Sequence, residues 1–275
     1  MYYLGIDLHK DESHVAVLDD DAEVVEEIRV KNANLDEIGE EYAGAKAAIE
    51  ATSNYYTVYD TLDEHLDVVV ADPSQTKAIG YVEVKNDRLD AKLLAQLRRA
   101  GMIAKSYVPP EELRERRALV RGRKRLVEKR TDFKNEVHAV LDKHGITYDW
   151  DPFSVNGREI LAGEDFSLGV VGDQLMESFL SIIDELTAQI EELEEMIEEM
   201  IEETAASLEE TQLLMTIPGV TFYSSLLITS EIGEIDRFNE ANQVVSYAGL
   251  DPVVRDSGDS RTEGSISKRG SGDLR

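Results

Sequence analysis

The chain has 275 residues, with 29 Lys and Arg against 57 Asp and Glu and a formal net charge of −28. It contains no cysteine, which excludes a disulfide framework and a thiolate zinc site. No apolar run is long enough to span a bilayer and no signal peptide precedes the first strand, so a cytoplasmic, membrane-free protein with room for one large domain or two to three small ones is expected.

The acidic balance argues against indiscriminate binding to nucleic acid, but the charge is segregated. Residues 105–135 carry 11 Lys and Arg against 5 Asp and Glu, whereas residues 177–210 carry 13 acidic residues and no basic one. Seventeen Arg, twelve Lys and the acidic excess suit a halophile, whose hydrated acidic surface keeps it soluble, the alternative being an ordinary acidic soluble protein. Strong salt screens phosphate contacts, so a nucleic-acid enzyme there relies on shape, base contacts or metal bridges.

YYLGIDL (2–8) is a short apolar run ending in charge, the pattern of a buried strand. HVAVLD (14–19) and EVVEEIRV (23–30) follow across tight connections and read as an antiparallel meander. LDEIGEEYAG (35–44) reads as a short helix, AKAAIEAT (45–52) as a strand, YYTVYDTLDEHL (55–66) as a helix and DVVVADP (67–73) as a strand stopped by Asp-Pro. A helix over roughly 86–100 closes the block at Gly101. This βββαβαβα order predicts a mixed sheet with helices on its faces.

From Pro110 the texture changes. Residues 112–145 read as a long basic helix, 146–172 as a loop or small insertion, and 174–210 as an acidic helix. In the acidic helix Leu175, Phe179, Ile182, Leu186, Leu193, Met196 and Met200 follow a heptad spacing that Gln189 interrupts. This helix either pairs antiparallel with the basic one or self-associates. Residues 213–233 read as two apolar helices around a Pro-Gly turn, either a phosphate-binding helix-hairpin-helix or a plain hairpin. Residues 244–275 are polar and rich in Gly and Ser, and end at Leu-Arg inside a helix start, which suggests a C-terminally truncated frame. The expected divisions are 1–105, 106–210 and 211–275.

Asp7 lies inside an apolar strand and Glu50 at the end of a later one. Asp87 and Asp90 stand three residues apart on one helix face. Where the first strand is central, these four carboxylates can converge. Their mutual repulsion is relieved by hard divalent cations, Mg²⁺ or alternatively Mn²⁺, which favour oxygen ligands. Paired metal ions can assist both the attacking and the leaving oxygen of a phosphoryl displacement. Each acid also has an ordinary explanation: Asp87 as a helix cap, Asp90 in the first turn favoured by the helix dipole, Glu50 solvated at a strand end.

GIDLHKDESHVAVLD, AIEATSNYY, DPSQTKAIG and KNDRLDAKLLAQLRRAG, in that order, resemble the N-terminal domain of the IS110 (DEDD) family of transposases. TIPGVTFYSSLLITSEIG and the residues after it resemble that family's second conserved domain. Two positions depart from the usual pattern: Ser53 where glycine is usual, and Asn86 where threonine is. The resemblance implies an α/β fold: an RNase H-like (RuvC-like) mixed sheet with flanking helices, then a long helical coiled-coil insertion and a small, mainly helical C-terminal domain. It implies a metal-binding tetrad of Asp7, Glu50, Asp87 and Asp90, acting with a serine nucleophile that corresponds to Ser257. Ser260, Ser265 and Ser267 are close competitors. It further implies a DNA substrate, a structured guide RNA and a homo-oligomer formed through the coiled coil. The basic helix then offers Arg117, Arg121, Arg123, Lys124, Lys129 and Arg130 to a nucleic-acid backbone, or pairs them with the acidic helix. The competing functions are a junction-resolving nuclease that uses water, and an inactive remnant that binds nucleic acid.

Overall fold

The computed structural model describes residues 1–52, 54–73, 87–203, 205–257, 260–268 and 270–275, with the side chains of 87–88, 201–203, 205–208, 254–257 and 260–263 outside the description. Ser53 and Asn86 lie outside the described residues. The chain forms two compact units, Met1–Val108 and Pro109–Arg275.

The first unit is a five-stranded mixed sheet with helices on both faces. Strands β1 (Tyr3–Leu8), β2 (Glu12–Leu18) and β3 (Val24–Lys31) form the antiparallel meander. After helix α1 (Leu35–Glu41), strand β4 (Lys46–Glu50) runs parallel to β1. Helix α2 (Tyr55–Asp63) then leads to β5 (Asp67–Ala71), parallel to β4, and helix α3 (Asp87–Ala100) follows. The strand order is β3-β2-β1-β4-β5, which puts β1 in the centre.

Side chains alternate across a strand, so each strand feeds two cores. Leu4, Ile6, Val15, Val17, Ala47, Ile49, Val68 and Val70 pack with Leu35, Val58 and Leu62 of α1 and α2. The opposite face carries small residues. Ala48, Val69 and Ala71 pack there against Leu94 of α3. Gly5 lets the helix touch the sheet: a Cβ on it would sit 1.9 Å from the Ala91 carbonyl oxygen and 2.4 Å from the Ala95 nitrogen.

The second unit is built on two long helices, α4 (Glu111–Lys143) and α6 (Gly169–Glu203). They run antiparallel: Arg123 meets Glu194, Arg130 meets Thr187, and the Phe133 and Phe179 rings lie 5.9 Å apart. Residues 146–172 are more ordered than a loop. They contain helix α5 (Val155–Leu161), whose first turn is capped by Ser154 Oγ accepting from the Gly157 N–H at 3.0 Å. Helix α6 also begins five residues before the predicted start.

The apolar seam of α6 differs from the expected one by one residue at three of its seven positions. The buried residues are Met176, Ile183, Ile190 and Ile197, whereas Leu175, Ile182 and Met196 are exposed. Phe179 and Leu193 keep their predicted places, and Ile190 removes the interruption expected at Gln189. An amphipathic helix with two adjacent apolar stripes does not reveal which stripe its partner covers.

Helix α7 (Ala205–Met215) precedes the Pro-Gly turn and α8 (Phe222–Ile232) follows it. At the start of α8, Thr221 Oγ1 accepts from the Ser224 N–H and Ser224 Oγ from the Thr221 N–H, so a capping box meets these donors internally. After α9 (Ala241–Tyr247) comes a two-stranded antiparallel hairpin, β6 (Pro252–Ser257) and β7 (Ser260–Ile266). The polar, Gly-containing segment shows no apolar alternation along the sequence, so neither strand is expected from it.

Candidate active site

The carboxylates of the first unit are placed by strand register and helix direction. Ile6 pairs with Ile49 in the parallel β1–β4 pair, so Asp7 and Glu50 follow side by side at its exit end. Both share the parity of Gly5 and Ala48, which puts them on the α3 face.

Helix α3 crosses this face antiparallel to β1. Its last turn is tied to the strand-entry end, where Arg98 donates from Nε to the Ala47 carbonyl at 3.1 Å and from Nη2 to the Asp67 carbonyl at 2.9 Å. Arg99 donates to the Asp20 carbonyl at the same end. From Arg98 back to Asp90 the helix spans about 12 Å, and from Ala47 to Glu50 the strand spans about 10 Å. The first turn of α3, which carries Asp87 and Asp90, therefore lies over the end of the sheet that holds Asp7 and Glu50.

Asp7 is nearly buried, with its side chain 11% exposed, and Asp90 is half-buried. The Asp87 side chain is outside the description. Among the described residues, Asp7, Glu50 and Asp90 do not form a group with all ligand atoms within 4.8 Å. Asp36, Glu40 and His65 do form such a group, at the opposite end of the sheet, where Asp36 and His65 are joined at 2.8 Å.

His9 was not among the predicted residues, yet its Nε2 lies 3.3 Å from Asp7 Oδ2. Its ring meets His14 edge-on at 6.3 Å, and His14 is the cross-strand partner of Asp7. The one sequence signal is spacing, two residues beyond Asp7. Beside this cluster a cavity of about 260 Å³ is lined by His14, Ala16, Glu27, Arg29 and Ala91.

Ser257 ends β6 in the second unit and pairs with Ser260 across the hairpin turn; neither side chain is described. Of its competitors, Ser265 is exposed, and Ser267 donates from Oγ to Asp251 Oδ1 at 2.6 Å.

The basic residues of α4 mostly face protein partners. Arg117 is buried and donates to the carbonyls of Ser230 and Glu231 at 2.6 and 2.7 Å. Arg121 grips Glu231, and Lys124 Nζ lies 2.8 Å from Asp273. Arg123 bonds Glu194 and lies 4.1 Å from the centroid of the Tyr223 ring. Burial pushes the Tyr223 phenol above its ordinary pKa, with Arg123 opposing. Arg130 donates to Thr187, whereas Lys129 is largely exposed beside Asp132. The acidic-against-basic pairing foreseen as an alternative is present at Arg123 and Glu194.

The family comparisons bear on both units. A family model described as "Transposase" (the IS110 DEDD transposase model) matches residues 4–146, over half of the chain. The chain belongs to the IS110 family of transposases. A second model, described as "Transposase IS116/IS110/IS902 family", matches residues 211–275. This IS110-family chain is 27% identical over 282 residues to the "Transposase for insertion sequence element IS1111A" of Coxiella burnetii, covering 99% of this chain and 74% of the relative. It is 26% identical over 193 residues to the "Putative transposase y4qE" of Sinorhizobium fredii, covering 70% of this chain and 46% of that relative. Among the described residues no helix is long and apolar enough to cross a membrane.

Proposed function

We propose that this IS110-family chain cuts and exchanges DNA strands for an insertion sequence, with Asp7, Glu50, Asp87 and Asp90 as ligands for divalent metal and Ser257 as nucleophile. The observation that carries the reading is the shared end of the sheet: Asp7 and Glu50 adjacent at the exit of β1 and β4, with the first turn of α3 over them. The strand order, with an antiparallel meander followed by two parallel strands, fits a RuvC-like (RNase H-like) domain.

The donor set is all carboxylate oxygen, which suits Mg²⁺ or Mn²⁺ rather than a soft metal. Bound there, the metal would polarise a phosphate and neutralise the charge that develops on its oxygens. The chain's own residues do the rest. The four acids, drawn from two strands and one helix, would bring negative charge to that end of the sheet. Ser257 Oγ forms the bond to phosphorus as the strand's bridging oxygen leaves, and its proton needs an acceptor, because a free serine hydroxyl is a weak nucleophile.

Target choice falls to base pairing with a structured guide RNA, and Lys129 with its exposed neighbour Arg125 supplies sequence-independent backbone contact. The exposed stripe of Leu175, Ile182 and Met196 on α6 supports association with a second copy.

The test is strand cleavage of DNA carrying the element's ends, with guide RNA and Mg²⁺. Asp7→Ala and Asp90→Ala each abolish cleavage while keeping the wild-type circular dichroism spectrum. Cleavage at the wild-type rate by either variant refutes the metal assignment.

A further inference from the structure

The turn that follows Asp7 is held from two sides by asparagine side chains. Asn54 Nδ2 donates to the His9 carbonyl at 3.1 Å and the Lys10 carbonyl at 3.4 Å. Asn32 Nδ2 donates to the same two carbonyls at 2.9 and 3.2 Å. Each amide oxygen is occupied as well: Asn54 Oδ1 accepts from Thr52 Oγ1 at 3.2 Å, and Asn32 Oδ1 from Ser13 Oγ at 2.6 Å. Carbonyl oxygens only accept, so the NH₂ group of each amide must face the turn.

Asn54 stands at the N-cap position of α2, where asparagine ordinarily accepts from the helix's own N–H groups and stabilises by about 1 kcal/mol. Here its side chain makes no capping bond. The side chain faces away from its helix, to the backbone two and three residues beyond Asp7.

The placement ties together the two segments that carry the central acids. The last register pair of β1 and β4 is Ile6 with Ile49. Beyond it Asp7 stays paired with His14 of β2 and Glu50 with Ala71 of β5, and the two strands end at Leu8 and Glu50. The Asn54 amide bridges these exits four residues past Glu50. The bond therefore links the turn that carries His9 to the segment that follows Glu50.

We propose that Asn54 is a positioning residue for the Asp7–Glu50 pair, with Asn32 bracing the same turn from the β3 side. This inference rests on the reading of those acids as metal ligands. Groups that orient metal ligands typically cost about ten- to a hundredfold in metal affinity when removed.

The test is calorimetric titration of the purified chain with Mn²⁺ alone, comparing wild type, Asp7→Ala and Asn54→Ser. Serine is neutral and an equally good N-cap, but it has no amide to donate. A purely helix-capping role therefore leaves Asn54→Ser unchanged. The expected result is Mn²⁺ binding weakened about tenfold or more in Asn54→Ser, with a melting temperature close to wild type, and binding lost in Asp7→Ala. Wild-type affinity in Asn54→Ser alongside loss in Asp7→Ala overturns the positioning role and leaves the metal reading standing. Equal titrations of wild type and Asp7→Ala overturn both. Should Asn54→Ser not fold, Asn32→Ser, which cuts the same two carbonyls from the other side, is judged by the same outcomes.

Discussion

Arg121 holds the carboxylate of Glu231 at two points, Nε to Oε1 at 2.5 Å and Nη2 to Oε2 at 2.8 Å. The partners are unequally placed: the Glu231 side chain is fully buried and that of Arg121 is 33% exposed. Ser271 Oγ also donates to Glu231, at 2.8 Å, so this acid joins α4, α8 and the last residues of the second unit. Arg121→Ala strands a buried carboxylate and is expected to destabilise that unit by about 3–5 kcal/mol. Glu231→Gln keeps the shape but only one of the two acceptor oxygens, and costs less because it leaves no buried charge without its partner. Urea denaturation of the two variants checks the order; equal losses contradict it.

Gly5→Ala places a methyl into the backbone of α3, where no side chain can move aside. Overpacking usually costs about 1–3 kcal/mol, and a backbone clash belongs at the upper end. The helix that carries Asp87 and Asp90 must lift from the sheet. The expected outcome is a lower melting temperature together with lost DNA cleavage, and a variant with wild-type cleavage contradicts the close packing.

Ser257→Ala is expected to abolish both SDS-stable adducts between protein and DNA and strand cleavage, as Asp7→Ala does. Adducts at the wild-type level move the nucleophile to another serine. A wild-type protein that cleaves without any adduct assigns the attack to water.

The α6 seam gives a pair of adjacent residues with opposite expectations. Ile183 is 3% exposed and Ile182 is 37% exposed. Ile183→Ala is expected to cost about 2–4 kcal/mol, and Ile182→Ala less than about 1 kcal/mol. Equal costs would return the seam to the register read from heptad spacing.

The cations of α4 divide in the same manner. Arg125→Ala with Lys129→Ala is expected to leave the melting temperature unchanged and to reduce the salt dependence of DNA binding by about two units of slope. Arg117→Ala, by contrast, removes a buried donor from two carbonyls at the end of α8 and lowers stability. Unaltered DNA binding in the double variant takes the exposed face of α4 out of the interface.

Local chemistry in the sequence was enough to order the first unit. Short apolar runs between turn residues marked β1 to β5, Asp-Pro ended the last strand, and a charge inside an apolar strand singled out Asp7. Such features act over a few residues, through side-chain period and backbone preference, so they are legible along the chain. Which stripe of α6 is buried, which way α3 crosses the sheet, and that Arg117 and Arg121 are bound to residues more than a hundred positions away were settled only in three dimensions. The same holds for His9 and for the Asn54 bridge. Each depends on a partner distant in sequence, and periodicity specifies a surface without naming what packs against it.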